Sequence, residues 1–313
     1  MEQCAFKGNA DLYGLGIRIG FYLQWYGTIV AEWLAPKEVP NFRSTNTAFI
    51  TATFIAVIIL RNSLFMPEIY IVLLLFFGST IFNLFVFTWR LLTNFDHNWD
   101  PTRFKTSKPR GRVASLFWSL LLIAELSFSL WFWAVRIPML DEEPCERYGF
   151  IFYKVQLNSL GFRILHLAIA SLLMATIFVL MIWNLVSHNP QLWIATNDRV
   201  KKLRAANSIA QLFVAVVINT AVELTISWNG IGDLDSIGSA GQLIPTMIGV
   251  FGVLHIIYVF AHEEEQGPNM QNFAPRHVPP YDVRRRIKYL LASPVKIGSP
   301  SGLAEGRITR EPT

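Results

Sequence analysis

The sequence predicts an all-α membrane protein: a bundle of seven transmembrane helices with its N-terminus outside and its C-terminus in the cytoplasm. Three observations carry this. Seven apolar stretches, each about bilayer length, account for most of the 313 residues. A hydrocarbon core about 30 Å thick needs about 20 helical residues, and backbone inside it must satisfy its own hydrogen bonds. Hydrophobic residues make up 52% of the chain and charged residues 16%, where soluble domains carry about 25% charged. Lys and Arg fall in alternate connections, and such residues near spans stay cytoplasmic.

The spans are expected at about 13–34, 46–65, 69–92, 113–135, 160–183, 208–228 and 240–261. Residues 1–262 then form the transmembrane domain and 263–313 a cytoplasmic tail. The run Gly8-Asn9-Ala10-Asp11 reads as a helix cap ahead of the first span. That span carries Gly16 and Gly20, a G-x-x-x-G pair that lets another helix approach closely. The third span has few polar groups beyond Ser79, Thr80 and Asn83, and the seventh carries Pro245. Trp33, Trp89, Trp131, Trp133, Trp183 and Trp228 sit near span ends, as interfacial Trp does. No basic n-region or cleavage site precedes Tyr13, so the first helix is expected to be its own insertion signal.

The connection 93–112 holds Arg103, Lys105, Lys108, Arg110 and Arg112, and the connection 184–207 holds Arg199, Lys201, Lys202 and Arg204. The alternate connections hold Asp141, Glu142, Glu143 and Glu146, and Asp233 with Asp235. Seven crossings put every basic piece on one side. In the tail, Tyr281–Leu291 sets Val283, Ile287, Leu290 and Leu291 around Arg284, Arg285, Arg286 and Lys288. It reads as a short amphipathic helix on anionic inner-leaflet lipids. The basic connections 93–112 and 184–207 could also meet a cytosolic partner. Nucleic-acid binding is excluded as a serious reading.

The chain has two cysteines, Cys4 and Cys145. Both fall outside under this topology, and an even pair in an oxidising compartment reads as one disulfide. The plain alternative is two unrelated small residues.

Ionisable groups inside a membrane are expensive, so each is a candidate for function. Glu125 lies near the middle of the fourth span. Arg18, His166 and Glu223 lie in the outer parts of the first, fifth and sixth, with Asn219 and Gln242 nearby. Facing inward, Arg18, His166 and Glu223 would form one polar cluster with Glu125 below it. The bland reading is an Arg18–Glu223 or Arg18–Glu125 pair that only fixes packing. No span contains lysine, which excludes a retinal Schiff base. His255 and His262 share a helix face, but the second and third spans supply no His or Asp to complete a zinc site. No nucleophile or phosphate-binding motif is present. The reading is therefore not an enzyme, with no cofactor.

The stretches Gly8–Trp25 (GNADLYGLGIRIGFYLQW) and Ile226–Pro245 (ISWNGIGDLDSIGSAGQLIP) resemble a group of uncharacterised multi-pass membrane proteins of filamentous fungi. The resemblance implies a fungal membrane protein, and the plasma membrane is the expected site. It carries no activity or residue role with it. The leading expectation is a protein that moves or gates an ion or small solute through a polar route. The alternatives are a receptor or sensor with an outer pocket, and a membrane scaffold.

Overall fold

The computed structural model describes residues 5–94, 112–139, 145–186 and 198–265. The chain divides into two units after Glu265. The second, 266–313, where the amphipathic helix 281–291 is expected, lies outside the described residues, as do 95–111 and 187–197 of the basic connections.

The described part is helical with four short strands. In order these are β1 (Phe6–Lys7), α1 (Ala10–Tyr13), α2 (Leu15–Leu34), α3 (Val39–Leu60), α4 (Met66–Leu92) and α5 (Arg112–Trp131). A π-helical segment (Phe132–Arg136) and α6 (Ile137–Met139) continue α5. Then come β2 (Tyr148–Phe150), β3 (Lys154–Gln156), α7 (Leu160–Val186), α8 (Asp198–Trp228), β4 (Ile231–Gly232) and α9 (Ala240–Glu265).

Among the described residues, five helices are long and apolar enough to cross a membrane: Val39–Leu60, Ser115–Met139, Leu160–Val179, Ala205–Trp228 and Ala240–His262. The expected seven exceed these by two. In α2, Arg18 and Glu32 interrupt the apolar run, and in α4 the apolar stretch counted is Met66–Gly78.

Several boundaries differ from those expected. The first span is broken at Gly14, which separates α1 from α2. The second starts at Val39, because Pro40 suits the first turn and threonine hydroxyls keep their bonds within the helix. Thr47 donates to Arg43 O at 2.7 Å, and Thr51 to Thr47 O at 2.7 Å. The fourth span runs past Val135 to Met139 through the π segment. Polar residues extend α8 back to Asp198, since they continue a helix as readily outside hydrocarbon as in it.

The exposed residues identify the solvent. α9 exposes Leu243, Ile244, Phe251, Leu254 and Ile257 to 50–60%. α7 and α8 likewise expose Ile164, Leu172, Ile182, Ile209 and Phe213. Water does not tolerate apolar faces this long on a monomer, but lipid does.

α2 lies against α9, α3, α8 and α4; α4 packs on α8, and α5 on α7. The main core joins Tyr13, Phe21 and Trp25 with Phe54, Phe76, Phe132, Trp133 and Val222. The glycine pair works where the sequence places it. A Cβ at Gly20 would come within 2.8 Å of Pro245, and one at Gly16 would strike the Gln242 backbone. These two glycines let the first long helix close on the last.

One end of the bundle carries a small cap. β1 pairs with β4 in parallel, Phe6 opposite Ile231, and β2 pairs with β3 as an antiparallel hairpin. Gly8 N donates to Gly232 O at 3.1 Å and Leu15 N to Leu234 O at 2.9 Å. Gly230 ends α8 at φ +58°, a left-handed conformation that glycine adopts without strain. Asn9 caps α1, accepting from Asp11 N at 3.1 Å, and Asp11 accepts from Ser239 Oγ at 3.1 Å. The stretches Gly8–Trp25 and Ile226–Pro245 therefore meet in space. Asp235 remains exposed, and Asp233 pairs with Lys7 at 3.1 Å.

Candidate functional site

The site is built on the long antiparallel contact between α2 and α8. Arg18, Tyr22 and Tyr26 are four residues apart on α2 and so share a face; Asn219 and Glu223 do the same on α8. Arg18 is buried, and its Nη1 donates to Glu223 Oε2. Tyr22 OH donates to Glu223 Oε1 at 2.9 Å. The next rung is Asn219 Nδ2 donating to Tyr26 OH at 2.8 Å. The last is Trp33 Nε1 donating to Ser208 Oγ at 2.9 Å. The rungs keep one antiparallel register from Arg18 to Trp33, about 22 Å at 1.5 Å per residue.

Buried polar atoms without a protein partner occur on α2, α3 and α8, among other places. Arg18 Nε, Gln24 Oε1, Trp25 Nε1, Asn46 Oδ1, Asn207 Oδ1 and Asn219 Oδ1 are buried and make no hydrogen bond. Buried polar groups are nearly always satisfied, by protein or by water.

Beyond the seam, at the end opposite the cap, two side-chain contacts tie the helices together. Arg43 Nη2 meets Glu32 Oε1 at 3.3 Å. His255 Nε2 meets Glu38 Oε2 at 3.4 Å, and Asn41 Nδ2 also donates to Glu38, at 2.7 Å.

Three of the six expected route residues, Arg18, Asn219 and Glu223, stand together on the seam. The other three are elsewhere. Gln242 is buried where α9 crosses Gly16, its Oε1 3.5 Å from Gly16 N. His166 does not join Arg18 and Glu223. It lies in an aromatic cage, stacked on Trp133 at 4.3 Å, with Phe162 at 4.3 Å and Tyr70 at 5.7 Å. Its Nδ1 lies 3.0 Å from Phe162 O, a bond within its own helix. Trp133 is accordingly 1% exposed and not interfacial; the π segment turns it inward. Glu125 is fully buried on the stripe of α5 that holds Leu122, Leu126 and Ser129. Neither carboxylate oxygen has a hydrogen-bond partner, and Arg18 is committed to Glu223.

Two buried carboxylates, Glu32 and Glu68, escaped the sequence reading. Glu68, 3% exposed, accepts from Tyr13 OH at 2.7 Å, Asn9 N at 3.0 Å and Phe65 N at 2.8 Å. In sequence it is an ordinary acid in a first helical turn, and nothing local marks its long-range partners. Tyr22 and Tyr26 were also missed, although their spacing of four from Arg18 was a usable signal.

Among the described residues no group of three or more His, Cys, Asp or Glu is placed to hold a metal ion. His262 stacks edge-on against Tyr258 at 4.3 Å, apart from the His255–Glu38 pair. In comparisons with known proteins, no family model, curated protein or solved structure matches this chain.

Proposed function

We propose that this multi-pass membrane protein moves or gates an ion or small solute along the seam between α2 and α8. The single observation that carries the reading is the ladder from Arg18–Glu223 through Tyr26–Asn219 to Trp33–Ser208, with buried polar atoms on both helices that have no protein partner. Water or a polar solute beside these buried polar atoms would supply the hydrogen bonds that the protein does not. Liposome flux recordings across pH test it. Asn219→Leu removes the middle rung and leaves the charged pair intact, so flux per folded molecule should fall at least about tenfold, as when a channel-lining polar group is lost. Wild-type vesicles as tight as protein-free ones would refute the reading.

In the same proposal α2 and α4 also span, bringing the five candidate spans to seven, and the cap is outside. The alternation of basic and acidic connections supports this orientation. A tag before Met1 should be reached on intact cells, and one after Thr313 only once they are permeabilised. The reverse pattern would invert the topology.

The Cys4–Cys145 disulfide belongs to this arrangement. Cys4 lies outside the described residues, but the neighbours of both cysteines converge. The guanidinium of Arg147 lies over the Phe6 ring, 4.7 Å from its centroid. Ala5 lies beside Gly230, and the adjoining Asn229 holds Tyr148 by bonds at 2.9 and 2.7 Å. Mass spectrometry of unreduced membranes should recover the linked peptides. Two free thiols would rule the bond out. Closing so long a loop is worth about 4–5 kcal/mol in the chain-entropy model.

A further inference from the structure

Glu223 sits on the wrong side of its helix for a packing residue. Ile209, Leu212, Phe213 and Val216 form an exposed apolar stripe on α8, at 66%, 45%, 58% and 48%. Continued by turns of three and four residues, the stripe runs through Thr220 to Glu223, both exposed. The Glu223 side chain is 48% exposed, while that of its partner Arg18 is 2% exposed. The charged pair is therefore polar on one side only. Its anion faces the lipid, and its cation is hidden behind.

α2 presents a matching edge. Val30 and Trp33 are exposed at 40% and 46%, and Tyr22 and Tyr26 are half-buried on the same stripe. The two stripes flank one cleft, because Tyr22 meets Glu223 and Tyr26 meets Asn219 across it. From Tyr22 to Trp33 the cleft runs about 16 Å, roughly the apolar depth of one leaflet. Glu223 lies five residues before the end of α8 at Trp228, about 7.5 Å, near the depth of the headgroup boundary.

We propose that this cleft is a lateral site for one lipid bearing a primary-ammonium headgroup, with Glu223 taking the ammonium and the stripe from Val216 to Ile209 taking an acyl chain. Charge selects the headgroup. An anionic lipid would meet the exposed carboxylate, with Arg18 screened behind it. The carboxylate has about four acceptor positions, and Arg18 and Tyr22 use two. The remaining positions suit N–H donors, which an ethanolamine headgroup has and a choline headgroup lacks. The site is independent of solute movement and needs only α2 and α8 to lie side by side in a bilayer.

Native mass spectrometry of the full-length protein tests it, from micelles holding equal phosphatidylethanolamine, phosphatidylcholine and phosphatidylglycerol with identical chains. The wild type should retain one phosphatidylethanolamine, preferred about tenfold over the other two, the factor expected of one charge-assisted hydrogen bond. Free phosphoethanolamine, which lacks the chains, should not displace it. Val216→Trp fills the cleft while leaving the charged pair untouched, and should lose the bound lipid. The double variant Arg18→Met with Glu223→Met strands no charge, and should keep a lipid without headgroup preference. Equal retention of all three lipids by the wild type would overturn the proposal, and that arm needs no variant to fold. Displacement by free phosphoethanolamine, or a preference surviving in the double variant, would overturn it as well.

Discussion

Glu68→Ala should release the cap from the bundle and lower stability by about 4 kcal/mol, the largest loss expected from any single side chain described above. The carboxylate accepts from two backbone amides, Asn9 N and Phe65 N, and from Tyr13 OH. All three donors sit around a group that is 3% exposed. A hydrogen bond to a charged acceptor is worth about 1.5–3 kcal/mol, and stranding buried donors adds their desolvation. Three such bonds sum higher than 4 kcal/mol, but the cap can admit water once loosened, and the figure is lowered for that. Glu68→Gln keeps one acceptor oxygen and should lose about half as much. Tyr13→Phe removes one donor and should lose about 1 kcal/mol. Thermal unfolding of the three variants in one detergent gives the order. Hydrogen exchange at Asn9 and Phe65 should quicken in Glu68→Ala before the rest of the chain responds. A Glu68→Ala protein melting like the wild type would mean that the cap hangs on its strands alone.

Glu223→Gln is the second large effect. It leaves Arg18 charged and 2% exposed, facing only the neutral Gln amide and the Tyr22 hydroxyl. Breaking a buried pair from one side is worth about 3–5 kcal/mol. The half-exposed position of Glu223 places this case at the low end, about 3 kcal/mol. Arg18→Met strands the half-exposed partner, which can turn toward the headgroups, so about half that loss is expected. Removing both charges together should recover most of it. The cycle of single and double variants isolates the pair from its surroundings. Additive losses would show that Arg18 and Glu223 act separately.

Much of the helical layout was legible because hydropathy over about 20 residues reports it directly. The glycine pair at Gly16 and Gly20 was legible too, since small residues four apart have one structural use in a spanning helix. What could not be read was partnership across the chain. Arg18 had two acidic candidates, and only the packing of α2 on α8, with α5 set against α7, decides for Glu223. His166 looked like a member of the same cluster because depth along a helix can be counted. The direction it faces depends on neighbours such as Trp133, whose own direction depends on a π segment no periodicity announces. The strands of the cap are two or three residues long, too short for any alternation to register. The start of α8 was missed by ten residues because hydropathy marks where hydrocarbon begins, and a helix continues beyond it.

The meeting of α2 with α8 and α9 also sets an order of assembly. α2 leaves the ribosome well before α8 and α9, yet its charge is neutralised by a residue 205 positions later and its glycine face is met by one 226 positions later. Until α8 and α9 are made, Arg18 has no counter-charge and Gly16 and Gly20 face nothing that fits them. The first long helix is therefore expected to stay accessible while the middle of the protein is synthesised. Native contacts of such long sequence separation also make for slow closure. A nascent chain halted before Ala240 should leave α2 open to cross-linking by membrane chaperones, and release of the final helix should end that exposure.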